Sequence, residues 1–280
     1  MMAHGVSRPK DNALTAIFGR SRGVVIGVIH SKPLPGSPSF TGESLDEIYA
    51  FAVEEGRQYA DAGVDGLILE NHGDIPFATP DEIGVETAAT MAVMADRLRK
   101  TVGLPLGINV LANGAIPAVA VAQASGAGFV RVNQWANAYV ANEGIIQGPA
   151  GRAARYRSWV RANQIKIFAD VHVKHGAHAI VADRSITELT RDLEFFDADV
   201  VIVTGQRTGD PPSIDELREV REATPLPLVI GSGMTENDVE RLLGIADGVI
   251  IGSALKRDGV WWNAVDPQRA SRFVARVRSL

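Results

Sequence analysis

At 280 residues, with 46% hydrophobic and 22% charged content, the chain is long enough to bury one large core, as a single-domain α/β barrel does. Its formal charge of −5 gives no general attraction to nucleic acid or acidic membranes, and the absence of cysteine excludes disulfides, thiolate nucleophiles and cysteine-ligated zinc.

In chain order, residues 1–22 form an N-terminal extension in which Asn12-Ala-Leu-Thr-Ala-Ile-Phe18 predicts a short helix closing a barrel floor. The first apolar run, Gly23-Val-Val-Ile-Gly-Val-Ile29, is too short to span a bilayer, so a cytoplasmic protein without an integral membrane segment is expected. Val24–Ile29 opens a series of eight short β-branched runs, continued by 66–69, 106–110, 129–132, 165–169, 200–203, 227–230 and 249–251. Near-continuous apolar runs of this length suit strands buried on both faces of a parallel sheet. Helix-start patterns fall between them: Ser44-x-x-Glu47, Thr79-Pro80-x-Glu82, Ser185-x-x-Glu188, Ser213-x-x-Glu216 and Thr235-x-x-Asp238. Eight strand–loop–helix units predict an α/β fold of one (β/α)8 TIM barrel over residues 1–280, with the short helix at its N-terminus. The lack of a Gly-x-Gly-x-x-Gly turn after the first run argues against a doubly wound dinucleotide-binding sheet.

In this fold chemistry gathers at the carboxyl ends of the strands. Those ends read His30-Ser-Lys32, Glu70-Asn71-His72-x-Asp74, Asn109, Arg131-x-Asn133, Asp170-x-His172-x-Lys174-His175, Thr204-Gly205 with Thr208-Gly209-Asp210, Gly231-Ser232-Gly233 and Gly252-Ser253. The opposite ends carry ordinary turns, so the polar ring marks the site. Strand alternation gives Asp170, His172 and Lys174 one parity, and Arg131 and Asn133 another shared one, which sets a cation and an amide beside an acid. His175 and His178 are assigned to the loop.

Catalytic roles are expected of Asp170 and Glu70 as acid and base, with His172 and Lys32 orienting substrate or stabilising charge. His30, Asn71, Asn109, Arg131, Asn133, Lys174, Thr204 and Thr208 are the expected substrate contacts. A bland alternative has Asp170 simply paired with Arg131 and the histidines solvated. Asp170, His172 and His175 offer metal donors, but not at the i, i+4 spacing of a helical zinc site; no cofactor is expected, with a divalent metal as the alternative. Gly231, Ser232 and Gly233, followed by a helix start at Thr235, and Gly252 with Ser253 lie where this fold binds phosphate on backbone amides. Lys256 either adds charge there or is a solvated helix lysine. Trp261-Trp262 walls a pocket, joins an interface or packs under the last helix, the plainest of the three; the loop 206–212 closes over substrate or is a long turn.

The segments Gly27-Val-Ile-His-Ser-Lys-Pro-Leu-Pro-Gly-Ser-Pro38, 65–77, 107–111, 129–133, 144–148, 169–175, Val203-Thr-Gly205, Gly231-Ser-Gly233 and Asn263-Ala-Val-Asp266 resemble those of the BtpA family, over nearly the whole chain. The resemblance implies a phosphate-binding type of TIM barrel, distantly like tryptophan synthase α chains in its last two loops. It implies less about chemistry: the family is named for photosystem I biogenesis, and other members sit among carbohydrate genes. The family's usual Leu-Arg-Asn-Asp stands here as Leu111-Ala-Asn-Gly114, and its Thr-Asp-Gln-Gly as Ala141-Asn-Glu-Gly144, removing a basic group at Ala112 and an acid at Asn142.

Three functions follow as expectations. The first is an enzyme acting on a phosphorylated small molecule, a phosphosugar or nucleoside-like phosphate, by isomerisation, retro-aldol cleavage or N-glycosidic cleavage. Among these, Schiff-base chemistry requires a lysine inside the barrel, and Lys174 has the parity for it. The others are a non-catalytic biogenesis or stability factor for a membrane complex, and a metal-dependent hydrolase. A homo-oligomer is expected from the habits of barrels.

Overall fold

The computed structural model describes residues 10–205 and 210–280. Eight parallel strands close a barrel: β1 (Val24–His30), β2 (Gly66–Glu70), β3 (Leu106–Asn109), β4 (Phe129–Val132), β7 (Lys166–His172), β9 (Val200–Val203), β10 (Leu228–Ile230) and β11 (Gly248–Ile251). All eight predicted runs are barrel strands, and β1 pairs with β11 to complete the ring. Around them lie α2 (Leu45–Asp61), α3 (Val85–Val102), α4 (Ala115–Ser125), α5 (Ala150–Trp159), α6 (Ile186–Phe195), α7 (Ile214–Ala223), α8 (Val239–Leu243) and α9 (Pro267–Arg278).

Two cores result from strand alternation. Inside the barrel, Val24, Ile26, Val28, Ile68, Phe129, Phe168, Val200, Ile202, Val229 and Ile250 form one buried cluster. Its lower end is plugged by α1 (Ala13–Phe18), whose Ala13 and Leu14 join the cluster and whose Phe18 meets Phe129 edge-on at 5.7 Å. Asn12 caps this helix by accepting from the Thr15 amide at 3.0 Å. The expected floor helix is therefore present. Outward-facing residues such as Val25, Ile29, Leu69 and Ile108 pack with Ile48 and Ala52 of α2 and Met91, Met94 and Leu98 of α3 in the larger core.

The start signals had mixed outcomes. Ser185 and Ser213 each accept from the amide three residues on, capping α6 and α7. Thr235 and Asp238 make a complete capping box, at a 3-10 turn that leads into α8. Ser44 precedes α2 but makes no side-chain cap. Thr79 and Glu82 do bond each other, the hydroxyl donating at 2.7 Å, yet they brace a turn and α3 starts only at Val85. Pro80 at the first position after Thr79 is compatible with a helix, but residues 80–82 form a turn instead.

One element was not anticipated. After β4 the chain forms a hairpin of β5 (Ala138–Ala141) and β6 (Gly144–Gln147), to which the two-residue β8 (Gly176–Ala177) adds on the other side of β5. Tyr139, Ile146 and Val173 make its small core. Among the described residues, no helix is long and apolar enough to cross a membrane.

Candidate functional site

Above the last apolar layer the inward positions turn polar. His30 ends β1, Glu70 ends β2, Asn109 ends β3, and Arg131 and Asp170 lie in β4 and β7. Register sets them side by side, His30 against Glu70 and Glu70 against Asn109. Arg131 donates through Nε to Asp170 Oδ1 at 3.0 Å and through Nη2 to Oδ2 at 2.8 Å. Its Nη1 reaches Glu70 Oε1 at 3.5 Å and the Gly231 carbonyl at 3.4 Å, and Asn109 Nδ2 donates to the same Glu70 oxygen at 3.3 Å. Burial works against the guanidinium charge, but the Asp170 carboxylate outweighs it and holds the group above its ordinary value. Burial pushes the Asp170 carboxyl up, and Arg131 offsets part of that.

A cavity of about 870 Å³ opens over this layer. Of the predicted residues, His30, Glu70, Asn109, Arg131, Asn133, Lys174, Gly231, Ser232, Gly233, Gly252 and Ser253 line it. Five others take different places. Asp170 lies beneath the wall with both carboxylate oxygens engaged by Arg131, the pairing that the bland alternative foresaw. Lys32 extends over the Phe51 ring at 5.4 Å. Asn71 is structural, accepting from the Leu111 amide at 2.7 Å and donating to Asp74 at 2.9 Å. Thr204 ties off β7, donating to the His172 carbonyl and accepting from the Lys174 amide, each at 3.2 Å. His172 stands outside the cavity, with Nδ1 3.7 Å from Glu216 and its ring against His178. Thr208 lies outside the described residues.

A single irregularity explains His172. A β-bulge between Asp170 and His172 shifts the register against β9, so the two-residue alternation stops at Asp170. With it goes the alternative of an Asp170–His172–His175 metal set: one donor is locked to Arg131, and one has left the cavity. Lys174 is nevertheless delivered to the wall. Burial, and then Arg131, lower its ammonium to about 8, against the pull of Glu70 and Asp170.

Other lining residues lay outside the expected catalytic, substrate and phosphate sets. His72, Trp261, Tyr139 of the hairpin, His175 and the α9 residues Arg269 and Arg272 all face the cavity. The hairpin had a readable signal in Tyr139-Val-Ala-Asn-Glu-Gly-Ile-Ile146, a turn with glycine between β-branched stretches. Trp261 is a pocket wall, not packing beneath α9: its indole lies edge-on to His30 at 5.7 Å and to His72 at 4.5 Å. Lys256 is neither a phosphate ligand nor solvated; it is fully buried and paired with Glu55. Ala112 and Asn142, where the chain departs from its family's usual residues, are both lining positions.

A profile of the BtpA family matches residues 21–279. An uncharacterised protein of Archaeoglobus fulgidus is 42% identical over 250 residues, covering 89% of this chain and 96% of that one. The photosystem I biogenesis protein BtpA of a Synechocystis strain is 38% identical over 251 residues, covering 89% and 86%. Among solved structures, (S)-3-O-geranylgeranylglyceryl phosphate synthase from Thermoplasma acidophilum, in complex with its substrate sn-glycerol-1-phosphate, superposes with a TM-score of 0.59. It is 13% identical and covers 96% of this chain and 97% of that one, a likeness of fold.

Proposed function

The chain belongs to the BtpA family, and from that premise we propose that it is an enzyme acting on a phosphorylated small molecule that bears a carbonyl or masked carbonyl. The observation that carries this reading is one cavity lined together by Lys174, the Arg131–Glu70 pair and the two Gly/Ser loops. Ser232 and Gly252–Ser253 lie on the β10–β11 side, where Arg269 and Arg272 also line the cavity from α9, each within 4.0 Å of a carboxylate, Asp266 and Glu236 respectively. The Ser232 hydroxyl is buried and has no partner, a donor ready for an anionic oxygen.

Of the three reactions weighed, the position of Lys174 favours imine chemistry. Its neutral amine adds to the substrate carbonyl carbon, and loss of water gives the imine. Glu70, the buried carboxylate that lines the cavity, accepts or returns the proton, and Arg131 opposes developing negative charge. Asp170 acts through Arg131 as a positioning residue. A volume of about 870 Å³ suits a pentose- to nucleoside-sized phosphate. Cytoplasmic placement and self-association belong to the same proposal.

Two tests follow. Phosphosugars, nucleoside phosphates and inorganic phosphate are screened by thermal shift against wild type and Ser232→Asp. A ligand at about 100 times its Kd stabilises by about 2.7 kcal/mol, and the introduced carboxylate is expected to remove that shift by repulsion. A well-folded wild type that responds to no phosphorylated compound overturns the reading. The second test adds borohydride to the protein with each carbonyl phosphate that gives a shift. Reduced adduct is expected on the Lys174 peptide and absent from Lys174→Met. With the amine at about 8, the neutral fraction rises from roughly a tenth at pH 7 to nine-tenths at pH 9. Trapping should therefore accelerate with a midpoint near 8, not near the ordinary lysine value. No adduct with any binder would leave isomerisation or N-glycosidic cleavage.

A further inference from the structure

Two cavity-lining imidazoles have no part in that chemistry. His30 ends β1, and His72 opens the 3-10 turn His72–Asp74 just beyond β2. Their ring centroids are 4.8 Å apart. Nδ1 of each is buried and has no hydrogen-bond partner, and His30 is only 9% exposed. An unsatisfied buried nitrogen costs about 1 to 3 kcal/mol, so two on neighbouring rings of one cavity wall call for a ligand. Glu70 completes the group: one donor atom from each of His30, Glu70 and His72 lies within 4.8 Å of the other two.

The surroundings hold these donors together. Asp74 joins the first two loops, accepting from the Leu34 amide at 2.8 Å and from Asn71 at 2.9 Å. The loops touch at Gly73, where a Cβ would stand 2.6 Å from the Ser31 carbonyl oxygen and the Pro33 nitrogen. On the other flank Gly252 makes room for the His30 ring, since a Cβ there would lie 2.8 Å from its Cε1. Trp261 packs edge-on against both imidazoles. Arg131 is the nearby guanidinium, and its charge is matched by the bidentate Asp170.

We propose that His30, Glu70 and His72 form a binding site for one divalent transition-metal ion. Two imidazole nitrogens and one carboxylate suit manganese, iron, cobalt or zinc better than magnesium or calcium, and leave coordination positions open to the cavity. An ion with bonds of about 2.1 Å holds its ligands roughly 3.0 to 3.4 Å apart, so the three side chains draw in by about 1.5 Å on binding. This site is distinct from the Asp170–His172–His175 set; it shares Glu70 with the proposed chemistry but none of the Gly/Ser loops that would hold phosphate. Loading turns Glu70, otherwise held by Arg131 and Asn109, into a metal ligand, so metal-free and metal-loaded protein differ in the group that carries the proton.

The test uses untagged full-length protein, stripped with chelator and titrated with cobalt chloride alone, read by visible d–d absorption and by metal analysis after desalting. One equivalent per chain is expected. His72→Asn and Glu70→Gln should each weaken uptake by at least about 100-fold, with far-UV circular dichroism unchanged. His172→Asn serves as the control for the outer His172–His178 pair and should bind as wild type does. The proposal fails if the stripped protein takes up no cobalt, if His72→Asn and Glu70→Gln bind like wild type, or if His172→Asn abolishes binding. The phosphate shifts, measured on stripped protein, are unaffected by any of these results.

Discussion

Arg131→Met should lower stability by about 3 to 5 kcal/mol, read from urea midpoints, and remove the response to phosphorylated ligands. The guanidinium is 4% exposed and bridges an Asp170 side chain of zero exposure to Glu70. Removing it strands two carboxylates in the upper barrel, and an unmatched buried charge costs far more than the pair contributes. The second variant isolates that cause. Arg131→Met with Asp170→Leu removes donor and acceptor together, and should recover most of the loss because apolar groups replace a buried ion pair at little net cost. Stability would return without ligand binding. A single Arg131→Met within about 1 kcal/mol of wild type would mean that water reaches the pair despite its burial.

Glu55→Gln should be comparably severe, again about 3 to 5 kcal/mol, but silent toward the cavity. Glu55 in α2 accepts from the fully buried Lys256 through Oε2 and from the Val265 amide through Oε1 at 2.8 Å. Glutamine keeps an acceptor for that amide, so the loss reports the unmatched ammonium. Burial already pulls Lys256 below its ordinary value, and at high pH the variant should regain part of its stability as the amine sheds its proton. Phosphate shifts at a temperature where the variant is folded should match wild type. Loss of those shifts would restore Lys256 to the ligand site.

The sequence made the barrel readable because its strands are buried on both faces and therefore nearly unbroken in apolar character. The polar ring was readable for a related reason: in short strands, hydrophobic character ends where the barrel opens. Parity worked as far as the backbone stayed regular. It placed Arg131 and Asp170 correctly and failed at His172, because a bulge leaves no mark in composition. Asn71 and Thr204 were misjudged differently. Both are polar and near the mouth, but their bonds satisfy backbone groups of neighbouring loops, which residue type alone does not disclose. Arg269 and Arg272 reach the cavity from the final helix, across a distance in the chain that no local pattern spans. Lys256 looked like an ordinary helix lysine because its partner lies 201 residues earlier.

The pairing of β1 with β11 joins Val24 to Gly248 and carries Gly252 up to the ring of His30. These are nearly the first and the last parts of the barrel to leave the ribosome. Contacts so far apart in the chain form late in folding, because the closure of so large a loop precedes any return from it. Until that seam zips, the first loop has no eleventh strand beside it and the cavity has no wall on that side. Ligand binding here is thus a property of the finished ring alone, and a nascent or clipped chain lacking its last strand should hold much of the secondary structure yet none of the affinity.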